Sequence, residues 1–276
     1  MSRPVRVALA QVAAGPRRED NLERALAVMD RAARRGAQLI AFPEVALDRF
    51  FPVEPGDDKA LALAEPIPGP ATERIAERAA ALELVTVFNL YEVDGDGRTF
   101  DSSPVIDADG TLLGVTRMAH ITQYACFYEQ DYYHPGDCGA PVYETRAGRV
   151  GVAICYDRHY PEVMRALGVA GAELVVIPQA GTVGEWPDGL YEAEVRTAAF
   201  QNGYFAALAN RVGDEGKLVF SGESFAVDPE GRILARGKSG EEDLVIADCD
   251  LDLCATSHAR RLFWRDRRSE LYRDWL

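Results

Sequence analysis

Apolar residues recur along the chain in two rhythms, and the order in which those rhythms alternate is the first information the sequence carries. A near-continuous apolar run, VRVALAQV at 5–12, precedes NLERALAVMDRAARR at 21–35, whose apolar positions repeat with helical spacing. The run GAQLIAFPE, ending at Glu44, predicts a second strand. A helix and a further strand follow in TERIAERAAALELVTVFNLYEV at 72–93, and a hairpin in SSPVIDADGTLLGV at 102–115. The same order then returns as RVGVAICYD, YPEVMRALGVA, GAELVVIPQ, GLYEAEVRTAAFQNGYFAALANRVG and the hairpin GESFAVDPEGRILAR. Asp-Gly and Glu-Gly at the hairpin tips supply the backbone freedom a tight turn requires. The chain therefore reads as a weak internal repeat of βαβ units.

Alternating strands and helices predict an α/β protein, and near-continuous apolar strands such as AELVVIP predict sheets buried on both faces. Two similar halves fit a four-layer α-β-β-α sandwich, with a doubly wound single sheet as the alternative. The 276 residues are read as a single domain, 1–276. Near the end, HARRLFWRDRR interleaves basic and apolar residues, which marks the segment from about 255 to 276 as amphipathic and partner-facing.

Charge and composition narrow the partners. Forty-four acidic against thirty basic side chains give a formal charge of -14, which repels phosphate backbones and anionic lipid surfaces, so neither nucleic acid nor membrane is expected. The opening MSRPVRVALAQV is broken by Arg6 and Gln11 and reads as a strand rather than a signal peptide. No run approaches the ~18 apolar residues of a membrane span, and a cytoplasmic location is expected. Five cysteines, an odd number, predict reduced thiols rather than a disulfide framework.

Open α/β sheets build their sites beyond the carboxyl ends of strands, where Glu44 and Cys155 both fall. The first strands of the two halves correspond under the repeat, so the two side chains are expected to converge at one end of the molecule. A cysteine after an apolar strand is either a small core residue or a nucleophile. Its position favours the nucleophile: a strand-to-helix turn at YDRHYPE exposes a thiol, aims backbone N–H groups at it and lowers its pKa. A carboxylate directly after proline at the edge of a core needs a task or a basic partner. Together they sketch a cysteine nucleophile with a carboxylate base. In CDLDLCATSH, Cys249, Cys254 and His258 are metal-ligand types, but their spacing matches no recognised knuckle, and neither metal nor cofactor is expected.

AFPE around Glu44, GVAICYDRHYPE around Cys155, GAELVVIP, NRVG at 210–213 and the closing RDRRSELY together resemble the nitrilase superfamily of carbon-nitrogen hydrolases. The residues around Cys155 and the stretch YEAEVRTAAFQNGYFAALANRVG are most similar to β-ureidopropionases and related N-carbamoyl-amine amidohydrolases. The resemblance implies the four-layer sandwich, a homodimer or larger homo-oligomer joined beside the active sites, and a small amide or ureide substrate. It implies Cys155 as nucleophile, Glu44 as general base and Glu129, in FYEQDYYHPGD, as a second carboxylate orienting the substrate. Ammonia would leave, and water activated by Glu44 would clear a thioester-type intermediate.

One position departs from that pattern. In GVTRMAHIT, Met118 stands where the family has a lysine, and a thioether carries neither charge nor a donor. Loss of one oxyanion donor typically costs about 2.7 to 4 kcal/mol, or ~100 to 1,000-fold in rate. Three explanations stand open: Arg117 or His120 supplies the cation, the alignment is shifted by one, or the chain is an impaired homologue that binds small molecules. Retained hydrolysis is favoured because Glu44, Cys155 and Glu129 are all present.

Substrate contacts are expected from Tyr156, Arg158 and Arg196. Arg158, at the mouth of the site, either grips a substrate carboxylate bidentately or forms a surface ion pair. Arg196 either joins it or pairs with Glu192 or Glu194. Both arginines on substrate would indicate an N-carbamoyl β-amino acid; neither would indicate a neutral or cationic amide. His159 reads as a helix-start residue, with a Cys-His pair as the alternative.

Overall fold

The computed structural model describes residues 2–56 and 58–272. In chain order the first half supplies β1 (Pro4–Gln11), α1 (Arg18–Arg34), β2 (Leu39–Ala41), α2 (Pro70–Leu82), β3 (Val85–Val87), β4 (Leu90–Val93), β5 (Thr99–Ile106) and β6 (Leu112–Arg117). The second half supplies β7 (Val142–Thr145), β8 (Gly148–Val152), α3 (Pro161–Val169), β9 (Leu174–Gln179), α4 (Leu190–Asn202) and β10 (Phe205–Asn210). It closes with β11 (Val212–Asp214), β12 (Val219–Ser221), β13 (Phe225–Val227), β14 (Ile233–Arg236), β15 (Asp243–Asp250) and the short α5 (Asp252–Thr256).

Two sheets result. One has seven strands in the order β15-β1-β2-β3-β5-β4, with β6 also paired to β5; the other has six, ordered β14-β13-β10-β9-β8-β7. Strand alternation sorts their side chains into layers. Val5, Val7 and Leu9 of β1 meet Val150, Val152, Val176 and Ala207 of the other sheet in one inner core. Ala8 and Ala10 turn the other way and pack under Leu22, Leu26 and Met29 of α1 and Ile75 and Ala79 of α2. On the far side, Val175, Ile177, Ala206 and Leu208 lie under Met164, Leu167, Val195 and Ala199 of α3 and α4. Helices, sheet, sheet and helices make the four-layer α-β-β-α sandwich, and the single doubly wound sheet is excluded.

Two local expectations change. The strand expected at the end of 72–93 is interrupted at Phe88 and Asn89 into β3 and β4, which pair in one register with successive stretches of the same edge of β5, while β6 takes its other edge. Asn89 makes that break: its Oδ1 accepts from the Val45 N–H at 2.6 Å, and its Nδ2 donates to Asp101 Oδ1 at 2.5 Å. Helix α1 begins at Arg18, ahead of the apolar periodicity, with Glu19 and Asp20 placed to favour its N-terminal dipole. The C-terminal segment lies against α3 and α4 of its own chain, where Trp264 Nε1 donates to Asn202 O at 3.2 Å and Arg260 Nη2 to Gly168 O at 3.2 Å. Residues 273–276 of that segment fall outside the described residues.

Candidate active site

Glu44 sits three residues past β2, in a turn held from both sheets. Val45 takes a φ of +48°, a costly conformation for a β-branched residue. Arg211, buried just past β10 of the second sheet, holds it there: Nη1 donates to Glu44 O at 2.9 Å and Val45 O at 2.7 Å, and Nη2 to Asp48 O at 3.0 Å. Cys155 sits the same distance past β8. It also has positive φ, +42°, and opens a 3-10 turn, Cys155–His159, that leads into α3. Gln179, the last residue of β9, donates Nε2 to the Cys155 Sγ at 3.3 Å. Positive φ thus occurs at Cys155 and at the residue after Glu44, each held by a polar side chain, Gln179 and Arg211, from just at or past a neighbouring strand.

The environment around the thiol is acidic and dry. Glu44, Asp101 and Glu129 are fully buried, and six polar atoms of the group have no hydrogen-bond partner: both carboxyl oxygens of Glu44, both of Glu129, Asp101 Oδ2 and the Tyr133 hydroxyl. Burial pushes the Glu44 pKa up to about 8; the Glu129 charge adds to the rise, while interactions with the Cys155 thiol and the Asp101 carboxyl oppose it. Asp101 is raised well above the carboxylate range by burial and by Glu44, and Glu129 by burial and by Asp101. Cys155 is 7% exposed, and burial followed by Glu44 and Glu129 drives its thiol well above the usual range, with Arg158 pulling the other way. The expected exposed, low-pKa thiol is therefore corrected: the strand-to-helix turn is present, but burial among carboxyls outweighs it. Burial and the neighbouring carboxyls thus favour the protonated form of each of these groups, and Glu44 and Cys155 each bear on the other's titration.

The remaining expected site residues separate into those near the thiol and those elsewhere. Met118 is buried in the inner core with Cys155, Tyr132 and Tyr133, its N–H bonded to Asp101 O at 2.9 Å. Arg117, one position earlier, spends its guanidinium on Glu92 at 2.5 Å and Asp137 at 3.0 Å and stacks on Phe100. His120 bonds Asp157 through Nδ1 at 2.7 Å and stacks flat on Tyr160. Neither substitute is joined to the carboxyl group. Arg158 is not a rim residue: its side chain is 2% exposed, with Nη1 on Cys155 O at 2.9 Å and Gln179 Oε1 at 2.8 Å, and Nε 3.4 Å from Glu194. Its Nη2 has no hydrogen-bond partner. Arg196 instead bonds Gly231 O at 2.7 Å and Glu192 at 3.1 Å, which settles it as a helix-to-hairpin tie. Tyr156 is half-buried, its ring edge-on to His159 and Tyr160, and His159 pairs with Glu194 at 2.7 Å rather than with the thiol. Cys249 and Cys254 are buried while His258 is exposed on Glu230, and among the described residues no three such side chains converge as a metal site.

Asp101, Asn89, Tyr133 and Arg211 were not singled out in the sequence. The one available signal was the polar run Asp101-Ser102-Ser103 inside β5, all of it buried, where a strand of this kind should alternate or be apolar.

A family model described as carbon-nitrogen hydrolase matches residues 6–259. The chain is 31% identical to an N-carbamoylputrescine amidase of Solanum lycopersicum, over 99% of this chain and 95% of that protein. It is 35% identical to a beta-ureidopropionase of Arabidopsis thaliana, over 77% of this chain and 56% of that protein. Its fold superposes with a TM-score of 0.83 and 27% identity on an amidase variant from Nesterenkonia sp. AN1, covering 100% of this chain and 97% of the other. That structure is described as showing covalent addition of the acetamide moiety of fluoroacetamide at the active-site cysteine.

Proposed function

The chain belongs to the carbon-nitrogen hydrolase family and is a hydrolase of non-peptide C–N bonds; from that premise we propose that Cys155 is its nucleophile and Glu44 its proton acceptor. One observation carries this reading: Glu44, Glu129 and Cys155 lie buried in one cluster in which both carboxyls raise the thiol's pKa, while His120 and His159 are taken up by Asp157 and Glu194. In its ionised form Glu44 takes the thiol proton as Sγ attacks the carbonyl carbon of a small amide or N-carbamoyl amine. The tetrahedral adduct collapses, the C–N bond breaks, and the proton on Glu44 leaves with ammonia or the amine. Glu44 next takes a proton from water, hydroxide attacks the thioester-type carbon, and the C–S bond breaks to return the thiol.

Other groups take supporting roles in this proposal. Glu129 orients the substrate nitrogen, which its unpartnered oxygens can accept, and the free Nη2 of Arg158 receives a polar group of the substrate. Gln179 holds the sulfur in place. The covalent cysteine adduct of the Nesterenkonia amidase supports the same chemistry here. A homodimer is the proposed assembly, formed where Leu190, Leu262 and Phe263 are exposed beside α3 and α4. Light scattering that returns twice the 30.3 kDa chain mass supports it, and a monomer rejects it.

The hydrolase assignment is tested by ammonia release across a panel of amides and ureides, with intact-mass analysis of the protein. Turnover by the wild type and none by Cys155→Ser is the expected result. A Cys155→Ser variant as active as the wild type would remove the thiol from the reaction.

A further inference from the structure

The hydrogen bonding around Cys155 does not close within the described residues. Three buried carboxyls face the thiol region with five of their six oxygens unpartnered, and the Tyr133 hydroxyl beside them is unpartnered too. Among the described residues the neighbouring cations are turned to other partners, and Arg158 Nη2 is left without one. Arg211 is held by the carbonyls of Glu44, Val45 and Asp48 and by Glu215. Arg158 bonds Cys155 O and Gln179 and is balanced by Glu194, and Arg117 by Glu92 and Asp137. Of the three lysines, Lys59 is exposed, Lys217 pairs with Glu54 and Lys238 with Glu241. Buried acceptors in this number call for donors, and a molecule that enters the site can bring them.

Resting on the cysteine-hydrolase reading above, we propose that this site takes a cationic electrophile, an amidinium or guanidinium carbon, whose own charge makes a lysine at position 118 unnecessary. Attack on a neutral amide creates an oxyanion beside three carboxyls, with a thioether where an ammonium would be needed. Attack on an amidinium removes a positive charge and creates no anion. The planar cation also presents paired N–H donors, the geometry two-oxygen carboxylates accept best. Glu44, Asp101 and Glu129 supply such oxygens from the turn after β2, from β5 and from the Glu129–Asp131 turn. Met118 then serves as an uncharged wall that does not repel the ligand.

The reaction balances without any further reagent. Glu44 takes the thiol proton, Sγ bonds the central carbon, and the C=N electron pair moves onto nitrogen to give a neutral tetrahedral adduct. The C–N bond then breaks, and ammonia leaves with the proton held by Glu44. Water, deprotonated by Glu44, attacks the remaining thioimidate or isothiouronium carbon, and breaking the C–S bond releases an amide or urea and the thiol. The sum is amidinium plus water giving amide plus ammonium.

The test compares alkylation of the full-length protein by chloroacetamidine and chloroacetamide, followed by intact mass and normalised to each reagent's rate with free cysteine. The wild type is expected to favour the amidine ~100-fold or more, the scale of one misplaced charged donor. Met118→Lys is expected to cut that ratio ~100-fold, and Asp101→Asn to lower it as well should the lysine variant fail to fold. Acetamidine is expected to yield acetamide and ammonia. Equal ratios, or a preference for chloroacetamide, overturn the inference and leave the hydrolase reading standing. Failure of both reagents to modify Cys155 overturns the cysteine assignment and this inference with it.

Discussion

Replacing Glu44 with glutamine removes one titrating group from the centre of the inner core, and its effect on stability has a sign fixed by burial. In the unfolded chain the carboxyl titrates near 4.5, and in the folded protein near 8, chiefly because burial disfavours the charge. Below the lower value both states are protonated and Glu44 costs nothing. Between the two, the unfolded state gains charge and the folded state does not, so stability falls as pH rises and levels off above about 8. Integrated from pH 5 to pH 8, the loss from this one group is about 3 kcal/mol. Urea denaturation of wild type and Glu44→Gln at pH 5, 6, 7 and 8 measures it. Asp101, Glu129 and Asp48 are also raised and add slopes of the same sign, so the difference between the two proteins is the quantity to read. The variant should gain about 3 kcal/mol on the wild type across that range. Parallel curves would show that Glu44 ionises freely in the fold and would undo the electrostatic account of the site.

Other outcomes follow from the same geometry. If Glu44 must be ionised to accept the thiol proton, kcat/KM should climb with pH up to about 8, and Glu44→Gln should lose ~100-fold or more; a profile flat from pH 6 to 9 contradicts this. Arg211→Met leaves Glu44 O, Val45 O, Asp48 O and Glu215 without their buried donor, and urea denaturation should show a loss of ~3–5 kcal/mol. A loss below ~1 kcal/mol would mean the strained turn is held by something else. Steady-state kinetics should show Arg196→Ala within about twofold of wild type and Arg158→Gln ~10 to 100-fold slower, the weight of a charged hydrogen bond; the reverse order would restore Arg196 to the site.

Much of the fold was legible because its cause is periodic. The inward Val5-Val7-Leu9 and outward Ala8-Ala10 of β1 are a strand buried on both faces, and the repeat of that pattern around β8 and β9 announces a second sheet. The convergence of Glu44 and Cys155 followed from both lying just beyond the carboxyl ends of parallel strands. Asp101 was hidden because a lone carboxylate inside a strand reads as a solvent-facing position until its neighbours are known to be buried. Arg158 misled for the related reason that arginine close to a helix start suggests a surface, whereas here Cys155 O, Gln179 and the Tyr191 ring enclose it. The thiol's protonation was misjudged because helix geometry is local and legible, while the opposing carboxyls arrive from the turn after β2, from β5 and from the Glu129 turn. Met118 pointed to the right difficulty, but the sequence could not show that Arg117 turns to Glu92 and His120 to Asp157.

The central claim is that Cys155 forms the covalent bond and Glu44 moves the protons that make and clear it. Peptide-mapped mass spectrometry of acid-quenched wild type, Glu44→Gln and Cys155→Ala after incubation with a turned-over amide or amidine tests both halves at once. The account predicts one acyl or imidoyl group on Cys155 of the wild type, formed ~100-fold or more slowly in Glu44→Gln, which lacks the proton acceptor, and absent from Cys155→Ala. An adduct on another residue, or the same adduct formed by Cys155→Ala, would contradict it.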